Sequence, residues 1–128
     1  HDAGTMIDEI IDRGQIEGGI VQGIGWITME EILYNENGSL LTNTLSTYKV
    51  PDVFSVPKII DVQFIENNQS DIGVFGAKAT GEPPFMYGIG VYFALLNAAN
   101  AFRDNLKIAY SAPFTNEKLL LMLYSKSV

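Results

Sequence analysis

Between Thr5 and about Tyr34 apolar residues recur at three- and four-residue intervals, at Ile7, Ile10 and Ile11 and then at Ile16, Ile20, Ile24 and Ile27. This is the helical period. Gly14 is expected to divide the stretch into a short helix and a long one, with Asp12 as N-cap of the second. The long helix carries Gly18, Gly19, Gly23 and Gly25, each costing up to about 1 kcal/mol relative to Ala in a helix interior. A compensating contact is required. Two readings stand: the glycines admit another backbone at close range, or they form a wall against a flat cofactor.

The period then changes. Ile32-Leu33-Tyr34 and Ser39-Leu40-Leu41-Thr42 flank Asn35-Glu36-Asn37-Gly38, and Asn-Gly is a strong hairpin signal. Ser46 to Pro51 reads as an extended piece, and the alternation of Lys58 to Ile65 predicts a strand able to pair with the hairpin. Glu66 to Asp71 reads as a polar surface loop. From Tyr87 to about Asn105 a second helix is predicted, burying Val91, Ala94, Leu95, Ala98 and Phe102. Thr115 is a candidate N-cap for a short terminal helix over Leu119 to Tyr124. The expected fold class is therefore α+β in a single domain, 1–128. Its order is a long Gly-rich helix, a β-hairpin plus strand forming a small sheet, a loop, a second long helix and a short C-terminal helix.

Composition narrows the partners more than the fold. With 47% hydrophobic and 18% charged residues the chain is globular with an apolar lean. Eight Lys and Arg against fifteen Asp and Glu give a net charge of −7, which lacks the basic footprint that nucleic acid or an anionic membrane requires. The absence of Cys excludes disulfides, thiolate metal ligands and a cysteine nucleophile, and the sole His, at position 1, cannot build a zinc site alone. No metal ligands are assigned. No apolar run reads as a membrane span and no signal pattern opens the chain, so a soluble, cytoplasmic protein is expected. The opening His-Asp-Ala-Gly-Thr, without an initiator Met, suggests a piece of a longer chain.

Candidate chemistry concentrates in Gly76-Ala77-Lys78-Ala79-Thr80-Gly81-Glu82-Pro83-Pro84. Here a carboxylate stands between a glycine hinge and a proline strut that fixes φ. By local pattern Glu82 is either a first-turn acid at the positive end of the following helix or a functional carboxylate. Taken with Gly14-Gln15-Ile16-Glu17-Gly18-Gly19-Ile20-Val21-Gln22-Gly23-Ile24-Gly25 and Thr47-Tyr48-Lys49-Val50-Pro51, its part Lys78-Ala79-Thr80-Gly81-Glu82-Pro83-Pro84 resembles the C-terminal part of the molybdenum-binding subunit of the xanthine dehydrogenase and aldehyde oxidase family. Three motifs occur in the family's order, and the resemblance runs through nearly the whole chain.

The resemblance implies that Glu82 is the general base, taking a proton as an oxygen nucleophile attacks an electron-poor carbon. It implies that Gln15 hydrogen-bonds the pterin of a molybdenum cofactor, in its molybdopterin or cytosine dinucleotide form. Ala79, Thr80 and Gly81 are expected to lie near that cofactor and to lend backbone groups, whereas Tyr48 and Lys49 are expected to be structural. Trp26 is expected in the core. The family's remaining site residues lie upstream of this sequence, and its iron–sulfur and flavin (FAD) groups lie on other domains or subunits. The chain alone is expected to carry no cofactor and to be inactive. The implied partners are the rest of the molybdenum subunit, the iron–sulfur and flavin modules and a small-molecule substrate, within a homo-oligomer of the full enzyme. A xanthine dehydrogenase type acting on a purine or related heterocycle is the leading expectation. A relative acting on aldehydes or other N-heterocycles, and a non-catalytic binding or scaffold module, are the alternatives.

Overall fold

In the computed structural model, which describes residues 1–65, 71–104, 106 and 110–124, three α-helices carry the fold: α1 (Glu9–Thr28), α2 (Gly88–Phe102) and α3 (Asn116–Tyr124). Short 3₁₀ turns cover Val74–Gly76 and Pro83–Tyr87. The expected break at Gly14 does not occur. Asp8, in an extended conformation, accepts hydrogen bonds from the N–H groups of Ile10 and Ile11 at 3.0 and 3.2 Å, so the helix starts four residues before the expected cap and runs unbroken for 20 residues. Asp12 lies inside the first turn. One glycine costs too little to stop a helix that is capped upstream and packed downstream.

The packing of α1 explains most of its glycines. A Cβ on Gly19 would stand 3.1 Å from the Pro84 Cβ, and one on Gly23 would stand 2.3 Å from the Phe85 carbonyl oxygen and 3.1 Å from the Gly88 Cα. A Cβ on Gly88 would in turn meet the Gly23 carbonyl oxygen at 2.4 Å. Two backbones therefore touch at Gly23 and Gly88, a contact that any side chain would forbid.

That contact also sets the rotation of α2. Because Gly88 faces α1, the positions one, two and three turns on, Tyr92, Leu96 and Ala99, are the buried ones. The predicted stripe is displaced by about one residue: Ala94 and Ala98 are exposed and Phe102 is 65% exposed. Ile27, Tyr92, Leu96 and Phe114 form the core, with Leu95, Leu119 and Met122 packed on it. Phe114 is pinned there by its N–H, which donates to the Ile27 carbonyl at 2.6 Å. Thr115 caps α3 as expected, its Oγ1 accepting the Lys118 N–H at 3.3 Å, and the Lys118 ammonium reaches Glu31 at 2.6 Å. Trp26 lies at the rim, 47% exposed, with its ring 5.1 Å from that of Phe85.

The expected small sheet is absent among the described residues, and the fold is mostly helical where an α+β arrangement was expected. The Asn37-Gly38 turn does form, with Gly38 at φ +77° and its N–H donating to the Asn35 carbonyl, but a lone bridge between Tyr34 and Leu40 is all that follows. An isolated two-stranded hairpin has little stability of its own. Residues 58–65 keep the alternation, with Val62 buried and Ile59 and Ile65 84% and 86% exposed, yet no strand lies beside them among the described residues. They are held instead by Arg13, whose guanidinium donates to the Val62 carbonyl and stacks 5.2 Å from the Phe64 ring centroid. Most of the predicted polar loop, residues 66–70, and the expected helix end at Asn105 lie outside the described residues.

The expectation about apolar runs is corrected too. The helical stretch Pro83–Phe102, 20 residues of mean hydropathy 1.3, is long and apolar enough to cross a membrane. Its closure onto Gly23 and Ile27 buries one side, at Gly88, Tyr92, Leu96 and Ala99, and 22% of the apolar window in all.

Candidate functional site

The loop that carries Glu82 is held from three sides. Its first part is bound by the N-terminal segment: the Thr5 N–H donates to the Gly76 carbonyl and the Lys78 N–H to the Ala3 carbonyl, both at 2.8 Å, and the Lys78 ammonium pairs with Asp2. Phe75 and Gly76, at φ +55° and +75°, make the left-handed turn that brings the chain alongside that segment. His1 Nε2 stands 2.8 Å from the Ala79 carbonyl oxygen, so this backbone group already has a partner. Thr80 is the next anchor, its hydroxyl donating to the Asp12 carboxylate at 3.1 Å. Beyond it, Pro84 and Phe85 seat on Gly19.

Glu82 sits between these anchors. Its backbone carbonyl accepts the Phe85 N–H at 2.9 Å and opens the Pro83–Tyr87 turn, and its side chain makes no capping hydrogen bond. The sequence pattern placed Glu82 just ahead of a long helix, but a 3₁₀ turn of five residues separates it from α2. The carboxylate is exposed and has no ionic or hydrogen-bonding partner among the described residues.

Gln15 is likewise exposed, with no partner for its amide among the described residues. By the helical period it stands at the border of two sides of α1, with Ile11, Gly14, Gly18 and Gln22 on one side of it and Asp12, Ile16, Gly19, Gly23 and Ile27 on the other. A Cβ on Gly14 or Gly18 would meet nothing within 4 Å. The two readings of the glycines therefore divide by face: Gly19 and Gly23 pack on backbone, whereas Gly14 and Gly18 leave an open strip beside Gln15. Gly25 belongs with the packed set, since Pro51 lies over it at 2.3 Å from a Cβ position. Tyr48, three residues earlier, donates its hydroxyl to the Glu30 carboxylate at 2.5 Å, so the Tyr-Lys-Val-Pro stretch has structural work at the end of α1.

Gln15 and Glu82 are thus carried on two elements that meet at Asp12–Thr80 and at Gly19, with Gly81, also clear of any Cβ contact, between Thr80 and Glu82. The link from Asp12 to Thr80 was not anticipated. The sequence offers a signal only for a cap, because nothing in it pairs position 12 with position 80. A cavity of 580 Å³ opens elsewhere, among Ile16, Ile20, Val62, Phe64, Pro84 and Tyr87. It touches the loop only through Pro84, and neither Gln15 nor Glu82 lines it.

Comparison with known proteins bears on this arrangement. Residues 1–57 match the molybdopterin cofactor-binding domain family. Xanthine dehydrogenase/oxidase of Rattus norvegicus is 38% identical over 124 residues, which is 92% of this chain and 9% of that protein. Probable aldehyde oxidase 2 of Oryza sativa subsp. japonica is 36% identical over 115 residues, 90% of this chain and 8% of that protein. The chain therefore spans about a tenth of the length of these relatives. Among solved structures, quinoline 2-oxidoreductase from Pseudomonas putida 86 matches with a TM-score of 0.79 and 33% identity, over 98% of this chain and 16% of that one.

Proposed function

Since the chain belongs to the xanthine dehydrogenase and aldehyde oxidase family of molybdenum oxidoreductases, we propose that residues 1–128 are the C-terminal piece of its molybdopterin-binding domain, with Glu82 as general base and Gln15 as pterin contact. The observation that carries this reading is the pairing of two unengaged groups on locked elements. The Gln15 amide and the Glu82 carboxylate are both exposed, and the elements bearing them are joined at Gly19 and at the Asp12–Thr80 hydrogen bond.

The residues present fit the organic part of such a cofactor. An amide offers both a donor and an acceptor to a heterocycle edge, and the strip at Gly14 and Gly18 leaves a flat group room beside it. Gly81 offers the same clearance on the loop. When bound, the cofactor supplies the oxidising centre and the oxygen that is transferred. Gln15 orients the pterin, and the Glu82 carboxylate takes the proton released as the substrate carbon is attacked. For this the base must be ionised and come within roughly 2.6–3.2 Å of the proton-bearing atom. The Phe85 hydrogen bond and the two prolines fix the Glu82 backbone while leaving its side chain free to swing.

The proposed reaction is hydroxylation of an electron-poor carbon of a purine or related heterocycle. A member acting on aldehydes or other N-heterocycles is the second reading, favoured by the aldehyde oxidase and quinoline oxidoreductase among the relatives. A substrate panel on the complete enzyme separates the two. In the same reading the rest of the molybdenum subunit covers the exposed apolar side chains, iron–sulfur and flavin groups sit on other domains, the full enzyme is a cytoplasmic homo-oligomer, and the 128 residues alone are inactive. In the complete enzyme, Glu82→Gln is expected to lower turnover by about 10²–10⁴-fold with molybdenum and pterin content retained. Turnover within a few-fold of the parent would exclude Glu82 as the base and leave a non-catalytic module as the better account.

A further inference from the structure

We propose that Asp12 is a positioning residue, holding the Glu82 loop in register with Gln15 through its hydrogen bond to Thr80. The inference rests on the reading of Glu82 as base and Gln15 as pterin contact, and it adds the link between them.

The loop is also secured at both ends by contacts that do not involve Asp12. Residues 76–79 are tied to the N-terminal segment, and Pro84 and Phe85 are seated on Gly19. Between these ends lie Thr80, Gly81, Glu82 and Pro83. Gly81 is free of neighbours at its Cβ position, and the Glu82 side chain has no partner among the described residues. The Thr80 hydroxyl is the polar anchor of this middle segment, and its acceptor, Asp12 Oδ1 at 3.1 Å, lies one helical turn before Gln15 on the same helix. Both partners are half-buried, which shields the bond from water. Glu82 lies two positions after Thr80, and Gln15 lies three positions after Asp12. A shift at this bond therefore moves the base relative to the cofactor directly. A displacement of about 1 Å at a reacting group can cost on the order of 10²-fold in rate.

The test is a double-mutant cycle in the complete enzyme with Asp12→Ala, Thr80→Val and the two combined, together with Thr80→Ser, which keeps the hydroxyl. Each single variant is expected to lower kcat by about 10- to 100-fold, with KM within about threefold and molybdenum and pterin content unchanged. The double variant is expected to be no slower than the worse single one, because both remove one bond. Thr80→Ser is expected to recover most of kcat. Amide hydrogen exchange over 80–82 is expected to quicken in both single variants and not in Thr80→Ser. Wild-type kcat in Thr80→Val, or losses that multiply in the double variant, would overturn the inference. Glu82→Gln serves as the reference. If it stays active, the underlying reading fails. If it is inactive while Thr80→Val is normal, the positioning role alone fails.

Discussion

The seam between α1 and residues 83–99 and the stretch from residue 30 to residue 65 are built on opposite terms. At the seam, backbone meets backbone: Gly23 against Phe85 and Gly88, Gly19 against Pro84, and Tyr92 and Leu96 closing on Ile27. Every partner lies within the chain. In the second region a hairpin turn ends in a single bridge, residues 58–65 hang from Arg13, and Ile32, Leu45, Val53, Phe54 and Ile59 are exposed. The turn and the alternation are genuine local signals. They do not become a sheet because a ladder needs a second strand, and none lies beside residues 58–65 among the described residues. A family relationship in which the chain is about a tenth of its relatives accounts for such a half-finished region.

The largest effect that sharpens this contrast is expected at Gly23. An added Cβ would meet backbone atoms at 2.3 and 3.1 Å, which no rotamer change can relieve. Gly23→Ala should destabilise the chain by roughly 3 kcal/mol, read by thermal or denaturant unfolding. A near-neutral result would mean that the seam is looser than its geometry. The next effect has the opposite sign. Gly18 has open space at its Cβ position, so Gly18→Ala should stabilise the 128-residue chain by up to about 1 kcal/mol through helix propensity. In the complete enzyme the same change should lower pterin content, since the methyl group would enter the strip beside Gln15. Stabilisation with full cofactor content would place the pterin elsewhere.

How much of this was legible in the sequence depended on where the deciding partner lay. The 3.6-residue period found α1, with an expected break at Gly14 that does not occur, and α2, while Thr115 announced α3 through its cap. The rotation of α2 was not legible, because Gly88 must face Gly23 and that pairing joins positions far apart in the chain. For the same reason the glycines of α1 stayed ambiguous until a neighbour appeared on one face and none on the other. Glu82 and Gln15 were singled out through motif resemblance, which marks a chemistry without its geometry, and their proposed roles rest on it. The Asp12–Thr80 bond joining their elements was not, because each residue has an ordinary local explanation: an acid in a first helical turn and a polar residue in a loop.

The smallest expected effect concerns the junction of the two regions, where Tyr48 of the loosely held stretch reaches back to Glu30 just beyond α1. The hydrogen bond to the Glu30 carboxylate, with desolvation and the carboxylate's charge, holds the Tyr48 phenol above its ordinary value of 10.0. The folded chain therefore keeps this proton more tightly than the unfolded one. Its contribution to stability is full below about pH 10 and is lost as pH rises through the raised value. Tyr48→Phe should cost about 1 kcal/mol or less at neutral pH and should flatten the alkaline fall in stability, leaving parent and variant closest at the highest pH. Unfolding curves taken at intervals from neutral to strongly alkaline pH read this directly. If the two stability profiles instead ran parallel, the phenol would not be what tethers residues 48–51 over Gly25. That role would then fall to the packing of Pro51 on Gly25 alone.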